Sequence, residues 1–223
     1  YSLMKLETID FELEIKQLQA VLAQRQSNLN KLIVGATPED INIYKTKGEN
    51  AKTLLTNTKT NLVDKLQDAY TKSDDAIRNK TDQYFTNLKS STPKITFSVY
   101  DVSLKTNLED SRLSIETTLG DWKASLQNLS VLSDLDSYIN KAKQNLNEIK
   151  NFLTNATLAL NGLTSSITID TYRADTSTAR TNINTATVNL TAAEEKLKTA
   201  ESDLSLANDE LALKEAKTRT EDI

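Results

Sequence analysis

A single stripe of apolar and small residues runs through the last quarter of the chain, and it constrains the fold more than any other feature. Its members recur three and then four positions apart, which is the spacing of a heptad repeat. They are Ile169, Tyr172, Thr176, Ala179, Ile183, Ala186, Leu190, Ala193, Leu197, Ala200, Leu204, Ala207 and Leu211. A helix over residues 169–211 would be roughly 65 Å long. A one-sided stripe of that length needs an equally long partner, because the other elements of a compact domain would not reach its ends.

Alanine occupies every second layer of this stripe from Ile183 onward. Small residues let the backbone of a partner helix approach closely, which favours an antiparallel helical hairpin over a loose pair. We expect the seam of the hairpin to be formed by Ala186, Leu190, Ala193, Leu197, Ala200 and Leu204. The expected partner of its alanines Ala186, Ala193 and Ala200 is the half of an earlier helix that contains Gly48, Ala51 and Leu55.

Composition favours a helical protein and argues against most kinds of chemistry. The 223 residues include only four glycines and two prolines, and 5% are aromatic, so a bundle or coiled coil fits better than a compact enzyme. The absence of cysteine and histidine removes thiol nucleophiles, the histidine general base and nearly all zinc or haem ligation. The sequence has neither a glycine-rich phosphate loop nor a nucleophile elbow. We therefore expect no enzyme activity, no cofactor and no metal.

Charge and hydropathy limit the partners of the chain. The net charge is -4 and no basic stripe is present, so the sequence lacks the electrostatic footprint of a nucleic-acid-binding protein. No apolar run approaches the ~18 residues of a membrane span, and the first residues lack the pattern of a signal peptide. We expect any membrane anchor to lie outside this sequence.

The N-terminal part predicts a helix that is interrupted at a defined joint. Residues 1–9 look like the end of a strand, and Asp10 can cap a first stalk helix over residues 10–34. A glycine suited to a left-handed helix end follows, then a threonine suited to an N-cap, a proline suited to the first helical position, and two acidic residues that face the positive helix end. These joint residues are Gly35, Thr37, Pro38, Glu39 and Asp40.

The rest of the chain predicts two long arms with an inserted pair of helices. The outgoing arm is expected over residues 38–89 and the returning arm over residues 169–216, so the insertion occupies residues 90–168. Asp101 and Asp134 are the expected N-caps of the two inserted helices. The predicted fold is all-α, with a long antiparallel coiled-coil hairpin and a four-helix bundle towards its tip.

Two short extended pieces are expected at the borders of this insertion. Ile95, Phe97 and Val99 alternate with polar residues, as a short strand would. A second piece is expected over residues 164–169. If the helices alternate up and down, both pieces fall at the same end of the molecule.

A motif at the joint recurs at the end of the sequence. Residues 35–41 read Gly-Ala-Thr-Pro-Glu-Asp-Ile, and residues 217–223 read Lys-Thr-Arg-Thr-Glu-Asp-Ile. Each follows a leucine-rich helix, so we expect residues 217–223 to begin a further helix. Together with Leu-Ala-Leu-Lys-Glu-Ala over residues 211–216, the joint motif resembles that of the HlyD-type periplasmic adaptors, or membrane fusion proteins.

This resemblance covers residues 1–85 and 170–223, and the middle third resembles an insertion that only some adaptors carry. It implies that residues 1–9 end the first half of a lipoyl domain. It also implies a spacer and assembly element of an efflux or secretion transporter, located in the periplasm or cell envelope. The implied partners are the inner-membrane transporter and neighbouring copies of the adaptor. The tip signature for an outer-membrane channel, Arg-x-x-x-Leu-x-x-x-x-x-x-Ser, is absent, so that partner is not expected.

Two other functions remain open from the sequence. An extracytoplasmic four-helix-bundle sensor would line a ligand pocket with Trp122, Tyr138 and Arg112. A purely structural cytosolic coiled coil would have no lipoyl sequence on either side. The length of the seam favours the adaptor, because a sensor does not need a stripe of that length.

Overall fold

Helices dominate the computed structural model, which describes the backbone of residues 2–216 and the side chains of residues 11–31 and 35–216. The predicted all-α class is confirmed for this part of the chain. The α-helices are α1 (Ser2–Val34), α2 (Pro38–Asp74), α3 (Val102–Leu126), α4 (Leu135–Asn161) and α5 (Ile167–Glu215). Between α2 and α3 lie a π-helix (Asp75–Thr81), a 3₁₀-helix (Asp82–Tyr84) and the strands β1 (Phe85–Thr86) and β2 (Lys94–Ile95).

Two helix starts differ from the sequence prediction. Helix α1 already begins at Ser2, so the strand expected over residues 1–9 is wrong from Ser2 onward. Helix α5 begins at Ile167, inside the extended piece expected over residues 164–169. The hydroxyl of Ser166 accepts a hydrogen bond from the Ile169 backbone N–H at 3.2 Å, which satisfies a free N–H at the helix start.

The outgoing helix also ends earlier than predicted. It was expected to continue to residue 89, but its last helical residue is Tyr84. Phe85 has the extended conformation, with φ −117° and ψ 150°, because it pairs with Ile95 in a short antiparallel β-hairpin. Residues 217–223, expected to begin a further helix, lie outside the described residues.

Both inserted helices begin at the predicted N-caps. The Asp101 carboxylate accepts hydrogen bonds from the backbone N–H groups of Ser103 and Leu104, at 2.8 and 3.1 Å. The Asp134 carboxylate accepts one from the N–H of Ser137 at 3.4 Å. These bonds satisfy N–H groups that a helix start leaves without a partner.

The chain divides into two compact units. The first contains the residues up to Thr53 together with those from Ser202 onward, and the second contains Leu54–Glu201. Four helical segments share one hydrophobic core in the second unit: the end of α2 with its π-helix, α3, α4 and the first part of α5. Their fully buried residues include Leu62, Leu66, Ile77, Ile115, Leu119, Ile149, Leu153, Ile183 and Leu190.

Helix α3 runs in the opposite direction to the outgoing segment formed by α2 and the π-helix. Trp122 in α3 meets Tyr70 edge to face, with ring centroids 5.7 Å apart. Six residues earlier along α3, Glu116 accepts a hydrogen bond at 2.9 Å from Arg78, which lies later in the outgoing segment. Because the residue numbers of the contact partners decrease along one helix as they increase along the other, the two helices are antiparallel.

Helix α4 contacts α3 on one side and α5 on the other. Glu148 of α4 accepts hydrogen bonds from Ser114 and Thr118 of α3, at 2.8 and 2.9 Å. Lys143 of α4 forms an ion pair with Glu194 of α5. Helix α4 therefore lies between these two neighbours within the second unit.

The β-hairpin lies at the same end of the second unit as the start of α5. The Tyr84 ring packs against the Tyr172 ring, with centroids 5.2 Å apart. The Tyr84 hydroxyl also lies 3.3 Å from the Thr176 hydroxyl. In the hairpin turn, Asn87 has a φ of 57°, a left-handed conformation that asparagine tolerates better than most residues.

In the first unit, the N-terminal part of α2 lies against the C-terminal part of α5. Lys45 pairs with Glu215 and Lys47 pairs with Glu210, each at 3.5 Å. The two helices are therefore antiparallel here as well.

Gly48 lies near Asn208 of α5. A Cβ atom on Gly48 would lie 3.8 Å from the Asn208 amide oxygen. The expected contact of the seam alanines with the half of α2 that contains Gly48, Ala51 and Leu55 stays a prediction. Heptad layers repeat, so spacing alone does not determine which layers of two helices meet.

The apolar stripe of α1 is exposed within the part of the chain that the structure describes. Phe11, Leu18 and Leu22 retain 63%, 62% and 58% of their accessible surface. Large apolar side chains in such a row are typical of helices that pack against another surface.

Candidate functional site

The predicted joint residues cap the start of α2. Gly35 has a φ of +72°, the left-handed conformation that ends a helix at little cost only in glycine. The Thr37 hydroxyl accepts a hydrogen bond from the Asp40 N–H at 3.2 Å, and the Asp40 carboxylate accepts one from the Thr37 hydroxyl at 3.0 Å. Pro38 and Glu39 are the first two helical residues. The joint thus has the local structure that its sequence predicts, and its role in function stays a prediction.

The seam residues of α5 are buried over most of their length. Ala186, Leu190, Ala193, Leu197 and Ala200 are between 0 and 3% exposed, whereas Leu204 is only partly buried. The first four belong to the core of the second unit. This is the burial expected of a helix that presents one continuous stripe to its neighbours.

A cluster of charged side chains lies at the π-helix, and the sequence analysis did not predict it. Arg112 of α3 is 2% exposed. It donates two hydrogen bonds to the Asp82 carboxylate, from Nε at 2.6 Å and from Nη2 at 2.9 Å. Its Nη2 also donates to Glu116 at 2.9 Å. Arg78 of the π-helix donates to the other oxygen of Glu116 at 2.9 Å and to Asp74 at 2.8 Å. The result is a continuous network of alternating charges.

Hydrogen bonds within this network outweigh the effect of burial on its charged groups. Burial alone would lower the pKa of Arg112, but its bonds to Asp82 and Glu116 raise that pKa above the ordinary value. Burial would likewise raise the pKa of Glu116, but bonds from Arg78 and Arg112 hold it below the ordinary value. The pKa of Arg78 is raised, mainly by its bond to Glu116. All three groups are therefore charged at neutral pH.

The π-helix positions this network. A π-helix inserts one extra residue per turn into a helix, so it changes the face on which the following side chains point. The π-helix contains Arg78, which donates a hydrogen bond to Glu116. It is followed directly by Asp82, the partner of Arg112. Such insertions are frequent at functional sites, which makes this segment a candidate site.

An open cleft of about 610 Å³ borders the network. One wall comes from α3 and the π-helix, and the other from the loop that follows β1. Its lining residues are Arg78, Asp82, Leu88, Lys89, Ser90, Ser91, Arg112, Leu113 and Glu116. All of these belong to the second unit.

The three residues expected to line a sensor pocket do not line a common pocket. Trp122 is 2% exposed and packs on Tyr70. The Tyr138 hydroxyl donates to the Ser125 carbonyl at 3.3 Å. Arg112 lies about 15 Å from Trp122 along α3, at ~1.5 Å per residue. Neither aromatic residue lines the cleft beside Arg112.

Comparisons with known proteins give no match: no family model, no curated protein and no solved structure is similar to the chain. None of the described helices combines the length and the apolar character needed to cross a membrane. No group of three or more acidic side chains in the described residues is arranged to hold a metal ion.

Proposed function

We propose that this chain is the helical hairpin of an HlyD-type periplasmic adaptor and acts as a spacer and assembly element of an efflux or secretion transporter. In this proposal α2 and α5 are the two arms of an antiparallel coiled coil. The second unit is a four-helix bundle. The chain would set a distance between its partners and would catalyse no reaction.

One observation carries the proposal, namely the antiparallel pairing of α2 with α5 in the first unit. The ion pairs Lys45–Glu215 and Lys47–Glu210 lie on exposed faces of the two helices. Such pairs contribute little to stability, about 0 to 1 kcal/mol each, but they indicate which residues of the two helices are opposite each other. Helix α5 has 49 residues and buries small residues along one stripe. A paired helix of this length is suited to setting a distance.

The partners in this proposal are an inner-membrane transporter and neighbouring copies of the adaptor, in the periplasm or cell envelope. The exposed apolar stripe of α1 supports the presence of such contacts, because it is a surface that a protein–protein interface can bury. The capping of α2 at Thr37 and Asp40 supports a joint that reorients the chain between two helices.

Shortening both arms together tests the proposal. We would delete one heptad from each arm of the full-length protein, residues 47–53 of α2 and residues 202–208 of α5, which lie opposite each other in the observed pairing. Both stripes stay in phase, and the paired segment becomes about 10 Å shorter. We expect a folded and stable adaptor whose transporter no longer exports its substrate, because the reach is too short.

A variant that lacks only residues 47–53 is the matched control. It removes one heptad from one arm only. The apolar stripes stay in phase, but the residues before the deletion lose their present partners on α5, so we expect it to be less stable than the paired deletion. Full export by the stably folded paired deletion would contradict a spacer function.

A further inference from the structure

The cleft beside the charged network contains cationic donors that the fold leaves unused. Arg112 donates hydrogen bonds through Nε and Nη2, but its Nη1 donates none to any described residue. Arg112 is only 2% exposed, so this atom offers little surface to a ligand. Arg78 likewise uses only Nε and Nη2, and 41% of its side-chain surface is exposed.

The opposite wall of the cleft adds further donors. Lys89 and Ser91 are exposed lining residues, and neither side chain is paired with another of the described residues. The two carboxylates in the lining already accept guanidinium hydrogen bonds on both of their oxygens. The unused polar groups are thus two guanidinium nitrogens, one ammonium and one hydroxyl. They suit a ligand that offers acceptors and negative charge.

The charge and shape of the cleft narrow the choice of ligand. Asp74, Asp82 and Glu116 balance much of the nearby positive charge, which disfavours a ligand with many negative charges. Leu88 and Leu113 supply apolar surface in the lining. A volume of about 610 Å³ is within the range of small-molecule sites, ~300 to 1,000 Å³. Arginine binds planar carboxylates well, because its fork of N–H groups matches their geometry.

We propose that this cleft binds a small organic acid, whose carboxylate contacts Nη1 of Arg78 and Nζ of Lys89 and whose hydrocarbon part lies against Leu88 and Leu113. Hydrogen bonds to Asp74 and Glu116 hold the Arg78 guanidinium in place before the ligand arrives. Such preorganisation reduces the entropy lost on binding. This site is additional to the adaptor function and does not depend on it.

Calorimetry of the whole 223-residue chain with butyrate tests the proposal, with inorganic phosphate as the comparison anion. Butyrate combines one carboxylate with a hydrocarbon part, whereas phosphate offers charge alone. We expect saturable butyrate binding at millimolar concentration or below. Phosphate should bind about ten-fold more weakly, because it leaves the apolar surface uncovered. In amide NMR spectra, butyrate should shift the signals of Ser90 and Ser91.

Two variants with the same change of charge separate the site from general electrostatics. Lys89→Glu places a carboxylate at the cleft, and we expect it to weaken butyrate binding by about ten-fold or more. Lys123→Glu changes an exposed lysine about 16 Å from Arg112 along α3, and it should leave binding unchanged. If Lys89→Glu alters the circular dichroism, Lys89→Gln takes its place.

Three results would overturn this proposal. They are no saturable binding of butyrate at millimolar concentration, equal losses in Lys89→Glu and Lys123→Glu, and phosphate binding as tight as butyrate binding. None of them bears on the export experiment with the shortened arms, so the two proposals can fail separately.

Discussion

Replacing Arg112 by methionine should destabilise the second unit more than any exposed charge change does. The side chain of Arg112 is 2% exposed and that of its partner Asp82 is 12% exposed, so the carboxylate has little water to replace the lost guanidinium. Removing one member of a buried ion pair costs about 3 to 5 kcal/mol. Glu116 is 40% exposed and can be rehydrated, so we expect the lower end of that range, about 3 kcal/mol.

Urea unfolding followed by circular dichroism measures this loss as a lower midpoint at an unchanged slope. Arg180→Met is the control, because Arg180 is exposed and its side chain is paired with no other described residue. We expect this control to change stability by less than about 0.5 kcal/mol. The double variant Arg112→Met with Asp82→Asn should recover at least about 1 kcal/mol, since no unpaired buried charge remains. If Arg112→Met were no more destabilising than Arg180→Met, the network would contribute nothing and our reasoning would be wrong.

Four further predictions follow from single contacts. Ala193→Leu should overpack a layer that is 3% exposed and cost about 1 to 3 kcal/mol, whereas Leu at the exposed neighbour Ala192 should be nearly neutral in the same thermal melt. Asn145→Leu should stabilise the chain by about 1 kcal/mol, because the Asn145 amide nitrogen is buried without a partner among the described residues; a lower melting temperature would contradict this. Gly35→Ala with Pro38→Ala should remove the left-handed stop and let α1 and α2 fuse. The distance between spin labels at Ser27 and Thr46 should then increase, and an unchanged distance would mean that other contacts impose the break. The pKa of Glu116 is lowered in the folded protein, so its contribution to stability is complete above the unfolded pKa of about 4.3 and is lost as the pH falls through the folded pKa. Glu116→Gln should therefore flatten the acid limb of a plot of stability against pH, and an unchanged limb would exclude this contribution.

The sequence predicted those parts of the fold that depend on spacing and local chemistry. Burial of Ala186, Leu190 and Leu197 follows from a helix with one apolar stripe. The caps at Asp101 and Asp134 follow from side chains that can accept free N–H groups. These signals are local, so they can be identified without the rest of the structure.

The parts that it missed depend on tertiary contacts. The change from α-helix to π-helix at Asp75 has no local signal as strong as glycine or proline. The strand at Ile95 was expected, but spacing does not identify Phe85 as its partner. The charged network had one signal: Arg112 falls at heptad spacing between Leu108 and Ile115. An arginine in such a stripe must be paired if it is buried, but its spacing does not identify Asp82 as the partner.

The adaptor proposal depends most directly on the antiparallel pairing of α2 with α5. Because the chain has no cysteine, disulfide formation between two introduced cysteines measures this pairing without background. Gly48→Cys with Asn208→Cys should cross-link rapidly, since the two positions are in contact. Gly48→Cys with Leu206→Cys should not, because Leu206 is 58% exposed and lies about 200° around α5 from Asn208. Equal rates in the two variants, or no cross-linking of the first, would contradict the hairpin and with it the proposed function.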